Sequence, residues 1–177
     1  MEEQIEKFIT ESDVSLYLLS KETPSGRWLD WQEYDRGPGI FSIPEDRLLG
    51  VRGQAMNNDS LKQLVQELKD VHSLRYLYLA ENRGISDKGI LNLQFLPQLE
   101  YLNISACDIT SDGLAFLLLL PKLSFLDLSY CNRISGKAAQ YIQKLPRLTF
   151  LNLQGVVKIK TSDLKKFEKK NLEIQRY

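Results

Sequence analysis

The sequence predicts an α/β solenoid, a short arc of stacked units. Each unit gives one strand to a parallel concave sheet and comes back through a helical or 3₁₀ return on the convex side. Three observations carry that prediction. One phrase is written four times, as Leu74-Arg75-Tyr76-Leu77-Tyr78-Leu79, Leu99-Glu100-Tyr101-Leu102-Asn103-Ile104, Leu123-Ser124-Phe125-Leu126-Asp127-Leu128 and Leu148-Thr149-Phe150-Leu151-Asn152-Leu153, with starts 25, 24 and 25 residues apart. After the first three phrases the apolar residues step by three, through Ile90, Leu93 and Leu96, then Leu114, Leu117 and Leu120, then Ala139, Ile142 and Leu145, which is the stripe of a short helical return. Pro97, Pro121 and Pro146 follow those stripes directly, where a helix must stop. One such unit cannot bury its own apolar face, but stacked neighbours can.

In chain order, residues 1–46 read as an N-terminal capping subdomain and residues 47–177 as the solenoid, about five repeats plus a terminal strand. Ile5, Phe8 and Ile9 lie at helical spacing, so a short amphipathic helix is expected within residues 2–11. Residues 14–20 are mostly aliphatic, Pro24-Ser25-Gly26 is turn chemistry, and Trp28-Leu29-Asp30-Trp31 follows. A β-hairpin of residues 14–20 and 27–33 is expected from this. Trp28, Trp31 and Tyr34 also step by three, so a second helix is the alternative. Arg36-Gly37-Pro38-Gly39 breaks the chain, and Phe41-Ser42-Ile43-Pro44 alternates beyond it. The expected role of this subdomain is to close the first apolar end of the solenoid. A separate recognition element built on its tryptophans is the alternative.

Leu49 and Val51 read as the strand of a degenerate first repeat, with Asp59 or Ser60 as helix cap and Leu61, Leu64, Leu68 and Val71 as its return. Ser86-Asp87, Thr110-Ser111-Asp112 and Thr161-Ser162-Asp163 open later returns and are expected to cap free N–H groups there. Asn171-Leu172-Glu173-Ile174 restarts the strand pattern. The open edge of that sixth strand is either shielded by charge, including Glu173 and Arg176, or available for strand addition.

Three positions after the last aliphatic of each phrase stand Asn82, Cys107, Cys131 and Val156. Leu-x-x-Leu-x-Leu-x-x-Asn/Cys at this period resembles the leucine-rich repeat family. Cys107 and Cys131 resemble its cysteine-containing subtype, familiar from substrate receptors of ubiquitin ligases, although residues 1–46 show no F-box pattern. The resemblance covers roughly residues 47–177 and implies that both thiols point inward as small buried groups. Strand spacing of about 4.8 Å is by itself also compatible with a disulfide.

Charge is balanced at 23 basic and 23 acidic residues. Its distribution is not: residues 1–46 hold 11 acidic and 4 basic side chains, residues 156–177 hold 3 and 7. No apolar run is long enough for a membrane span, and the acidic start lacks the pattern of a signal peptide. A cytoplasmic protein is therefore expected. Catalytic and metal signals are sparse. His72 is the sole histidine, the two cysteines have no second pair, and there is no phosphate-binding glycine motif. No cofactor and no enzymatic activity are expected.

The informative surface is the strand face, where residues between the inward leucines stack from unit to unit. One column reads Tyr76, Tyr101, Phe125, Phe150, its neighbour Tyr78, Asn103, Asp127, Asn152, and a third Glu81, Ala106, Tyr130, Gly155. Rings in register beside amide, acid and hydroxyl groups have the composition of a protein-binding surface. Such a ladder can also be purely structural, because aromatic residues favour strands and their cross-strand neighbours. The expected function is a protein–protein interaction module with a protein or peptide partner at Tyr76, Tyr78, Glu81, Tyr101, Asn103, Phe125, Asp127, Tyr130, Phe150 and Asn152. Three alternatives stand beside it: a regulatory subunit or substrate receptor of a larger complex, nucleic-acid binding through Lys158, Lys160, Lys165, Lys166, Lys169, Lys170 and Arg176, and association of copies through the solenoid ends.

Overall fold

The computed structural model describes residues 5–23 and 30–177. Trp28 and the Pro24-Ser25-Gly26 turn lie outside the described residues. The described residues form ten strands: β1 (Glu6–Thr10), β2 (Val14–Ser20), β3 (Gln32–Arg36), β4 (Gly39–Ile43), β5 (Arg47–Gly53), β6 (Leu74–Tyr78), β7 (Tyr101–Asn103), β8 (Phe125–Asp127), β9 (Phe150–Asn152) and β10 (Glu173–Gln175). Eight of them make one sheet in the order β10-β9-β8-β7-β6-β5-β2-β3, and β1 pairs separately with β4.

From β5 to β10 every pairing is parallel. The register follows the repeat, so Val51, Leu77, Leu102, Leu126 and Leu151 lie side by side. All five are fully buried. The returns are α1 (Asn58–Leu68), α2 (Asp87–Ile90) running into the 3₁₀ turn Leu91–Phe95, the 3₁₀ turn Gly113–Leu119, the 3₁₀ turn Gly136–Ala138 running into α3 (Ala139–Ile142), and the 3₁₀ turn Thr161–Lys166. The predicted solenoid of parallel strands and helical or 3₁₀ returns is the fold observed.

The N-terminal segment departs from expectation. Residues 6–10, read as helix, form strand β1. The spacing of Ile5, Phe8 and Ile9 suits a helix, but Phe8 and Thr10 also alternate with Lys7 and Ile9. Antiparallel pairing with β4 selects that alternation, with Phe8 opposite Phe41 and Ile9 opposite Ile40. Phe8 and Phe41 turn inward with ring centroids 6.1 Å apart. β2 pairs antiparallel with β3, which lies later in the chain than the expected 27–33, and β2's other edge pairs antiparallel with β5. Tyr34 thus lies in a strand rather than a helix. Two carboxylates tie β1 to the first repeat. Glu6 accepts the backbone N–H groups of His72 (2.5 Å) and Ser73 (2.9 Å), and Glu67 on α1 accepts the hydroxyls of Thr10 (2.5 Å) and Ser12 (3.0 Å).

Helix capping also differs. The cap of α1 is Asn57, before the expected Asp59 or Ser60. Its side-chain oxygen accepts from the N–H groups of Asp59 and Ser60, and Ser60 Oγ accepts from the Asn57 N–H at 2.9 Å, a capping box. Ser86 and Asp112 head their returns without capping them. Instead, polar side chains here link neighbouring repeats. Asp87 accepts from Thr110 N (2.9 Å) and Thr110 Oγ1 (2.6 Å), Asn58 Oδ1 accepts from Ser86 N (2.9 Å), and Ser111 Oγ accepts from Ser135 N (3.0 Å). The helical segments of these later returns are only three to seven residues long, and the next repeat lies close enough to compete for their polar side chains; in the last return Asp163 does accept the N–H of Lys160, at 3.1 Å. Gly113 makes room for this link, since a Cβ there would lie 2.1 Å from Asp87 Oδ1.

Candidate functional site

The ring column forms as a continuous ladder. Tyr76 pairs with Tyr101, Tyr101 with Phe125 and Phe125 with Phe150 across adjacent strands. Their centroids are 5.9, 6.2 and 4.6 Å apart, and the last pair is parallel, with an interplanar angle of 4°. Tyr101, Phe125 and Phe150 are half-buried. Tyr76, expected on the open face, is only 2% exposed. Trp31 covers it edge-on at 5.7 Å, within a small cluster that includes Leu19. The column position in β5 is Gly50, paired with Tyr76, and a Cβ at Gly50 would stand 2.9 Å from Trp31 Cε3. The missing side chain therefore admits the indole that buries Tyr76. Trp31 was not among the expected site residues; a glycine in a column of rings was the available signal.

In the second column the polar groups largely serve the backbone. Oδ1 of Asn103 accepts from Ser105 N (2.9 Å), that of Asp127 from Ser129 N (2.8 Å) and that of Asn152 from Gln154 N (2.9 Å). This repeated Asx turn bends the chain out of each strand. Asn152 Nδ2 also donates to Asp127 Oδ2 at 3.0 Å. Asn103 and Asn152 are buried, so sequence spacing that suggested partner-orienting groups has found turn-forming ones. Tyr78 is half-buried, with the Arg52 guanidinium 5.1 Å from its ring centroid, a cation–π contact. Burial pushes the hydroxyl pKa values of Tyr76, Tyr78 and Tyr101 upward, so these phenols act as neutral hydrogen-bonding groups.

The third column sits just beyond the strands. Glu81, Ala106, Tyr130 and Gly155 all have positive φ, between 54° and 68°, where the chain turns towards the next return. Only Gly155 is of a type that announces this conformation. Glu81 and Tyr130 are exposed and line an open groove of about 580 Å³ with Arg83, Asp108 and Arg133. Arg133 pairs with Asp108 at 2.9 Å.

Beneath that turn lie the residues at the Asn/Cys position. Asn82 Nδ2 donates to the carbonyls of Gly53 and Leu79 (both 2.9 Å), and its Oδ1 accepts from Met56 N at 2.7 Å. The Cys107 thiol donates to Leu79 O and the Cys131 thiol to Ile104 O, each at 3.2 Å. Each of these side chains thus satisfies backbone groups of the preceding repeat or its own turn.

A family profile described as Leucine Rich repeat matches residues 72–93, 96–118 and 120–142. These units are leucine-rich repeats. No curated protein sequence matches the chain significantly. Among solved structures, a chain in the crystal structure of the Rad7 and Elc1 complex in yeast is similar at 19% identity and a TM-score of 0.56, over 67% of this chain and 29% of that one. The matched region thus spans less than a third of that chain's length, and the likeness is one of fold.

Both leucine-rich-repeat cysteines are free and buried, so the alternative of a disulfide between them is not the state observed. Burial pushes each thiol up to about 12. Because the thiolate is the reactive form, the folded chain is expected to leave both thiols unmodified by a disulfide reagent at about pH 8. Denaturant should expose both. Titration of either thiol in the folded chain would contradict this placement. Among the described residues no group of three or more His, Cys, Asp or Glu is placed to hold a metal, and no helix is long and apolar enough to cross a membrane.

Several basic residues near the C-terminus have partners within the fold. Lys166 pairs with Asp163 at 2.7 Å, Lys169 Nζ donates to Leu145 O and Arg176 to Ile159 O. Three of the seven cations proposed for nucleic acid are therefore engaged within the fold.

Proposed function

We propose that this chain is a non-enzymatic protein–protein interaction module whose strand face captures a protein or peptide partner. The observation that supports this most is the half-buried ladder Tyr101, Phe125 and Phe150, held in register by parallel pairing and braced at one end by Tyr76 under Trp31. Rigid rings need little further ordering to bind, which is why such residues dominate interface energetics. In this reading residues 1–46 cap the solenoid of residues 47–177. Phe8, Val14, Leu16, Phe41 and Ile43 share one apolar core with Leu49 and Leu61, which supports that role. Free thiols suit a reducing compartment, and the cytoplasm is the location proposed.

The test is Tyr101→Ala/Phe125→Ala, with folding checked by circular dichroism and partner capture from native lysate read by mass spectrometry. A protein recovered with the wild-type chain should be lost with the folded variant. Equal recovery from both would move the binding face elsewhere. A regulatory subunit or substrate receptor is the second reading, favoured by the similarity to a chain crystallised in a two-protein complex. It requires a second partner whose capture survives loss of the rings.

A further inference from the structure

Gln98, Lys122, Arg147 and Lys170 each stand three residues ahead of the first residue of β7, β8, β9 and β10. They occupy one repeat position at the edge where the strands begin, about 4.8 Å apart from unit to unit. Ser73, three residues ahead of Tyr76, which pairs with Tyr101, holds the same repeat position. Towards the N-terminus the row is engaged within the fold: Ser73 N–H is held by Glu6, and Gln98 Nε2 donates to Val71 O at 3.1 Å. Lys122, Arg147 and Lys170 are exposed and pair with no carboxylate among the described residues. The fold has the means to neutralise such groups across repeats, as Asp108 does for Arg133 and Asp112 for Lys137. In this row it does not, although like charges so close repel. The N-terminal end of this edge carries Glu6, held by the His72 and Ser73 N–H groups, and Glu100, held by Arg75 at 3.1 Å, while Glu168 and Glu173 on the last repeat are exposed.

We propose that this edge binds an acidic, extended segment of the partner protein, whose carboxylates pair with Lys122, Arg147 and Lys170 while neighbouring apolar side chains rest on Tyr101, Phe125 and Phe150. The proposal rests on the interaction-module reading and specifies the partner's chemistry. Two strand spacings, about 10 Å, are covered by about three residues of extended chain, so the segment carries two or more acids within three or four positions. Ring geometry favours a peptide over single-stranded nucleic acid. Phe125 and Phe150 lie face to face at 4.6 Å, so the two faces turned towards each other are already stacked and cannot serve as platforms for bases. Ring edges carry the positive end of the quadrupole, which suits carboxylate and carbonyl oxygens.

The test pans displayed random linear peptides on the immobilised full chain and measures the enriched peptides, and an oligothymidine probe, by fluorescence anisotropy. Enriched peptides should be acidic with interspersed apolar residues, weaken with salt, and lose at least about tenfold in affinity on Lys122→Gln/Arg147→Gln/Lys170→Gln. Peptides without acidic enrichment, equal binding to that variant, or tighter binding of oligothymidine would overturn the proposal. Peptides retained by the charge variant but lost on Tyr101→Ala/Phe125→Ala overturn the acidic edge and leave the module reading standing. No enriched peptide on the wild-type chain counts against both.

Discussion

Leu102→Ala is expected to lower the free energy of unfolding by about 3–5 kcal/mol, near the upper end for a buried leucine truncation. Leu102 is fully buried and lies between Leu77 and Leu126 in the central column. The removed atoms therefore open a cavity against neighbours on both sides. In a solenoid, stability comes from each unit and its interfaces with adjacent units, and this position belongs to two such interfaces. Ile174, at the end of the same column, faces Leu151 alone and is half-buried, so Ile174→Ala should cost clearly less. Denaturant melts of both variants test the contrast. Equal losses, or a loss below about 1 kcal/mol for Leu102→Ala, would show that the column does not pack as a shared core.

Asn82→Ala is expected to cost about 2–4 kcal/mol by a different route. The loss comes from polar backbone: Met56 N–H and Gly53 O lose this partner, while Leu79 O keeps the Cys107 thiol. The amide now serves Met56 N–H and the carbonyls of Gly53 and Leu79 at a residue 4% exposed. Each buried group left without a partner costs about 1–3 kcal/mol. Asn82→Cys is the informative comparison. Cys107 already donates its thiol to Leu79 O from the equivalent place one repeat on, so a cysteine at 82 should restore a carbonyl contact while leaving Met56 N–H unserved. The expected order of stability is Asn, then Cys, then Ala. If Cys and Ala are equally destabilised, the carbonyl contact contributes little and the Met56 bond carries the effect.

These two positions also show how far sequence pattern reaches. Leu102 and Asn82 were both legible, because a period of 24 to 25 residues aligns equivalent positions and a conserved spacing within each phrase separates inward from outward. The ladder of Tyr101, Phe125 and Phe150 followed from the same alignment. The site's exposure did not. Nothing in the phrase around Tyr76 distinguishes it from Tyr101; Trp31, far away in sequence, covers one and not the other. Likewise Asn103, Asp127 and Asn152 occupy outward positions as expected, yet their oxygens bend to their own backbone two residues on.

The repeating leucines by themselves determined the parallel sheet, its register and the buried columns, because a unit with one apolar face has few ways to remove it from water except against a copy of itself. Only the tertiary structure decided the fate of residues that do not repeat. The helical spacing of Ile5, Phe8 and Ile9 gave way to strand β1 once β4 offered a pairing edge, and Asp87 left its own helix for Thr110 of the next repeat. Short segments hold competing local preferences of similar strength, and a contact from outside the segment tips the balance.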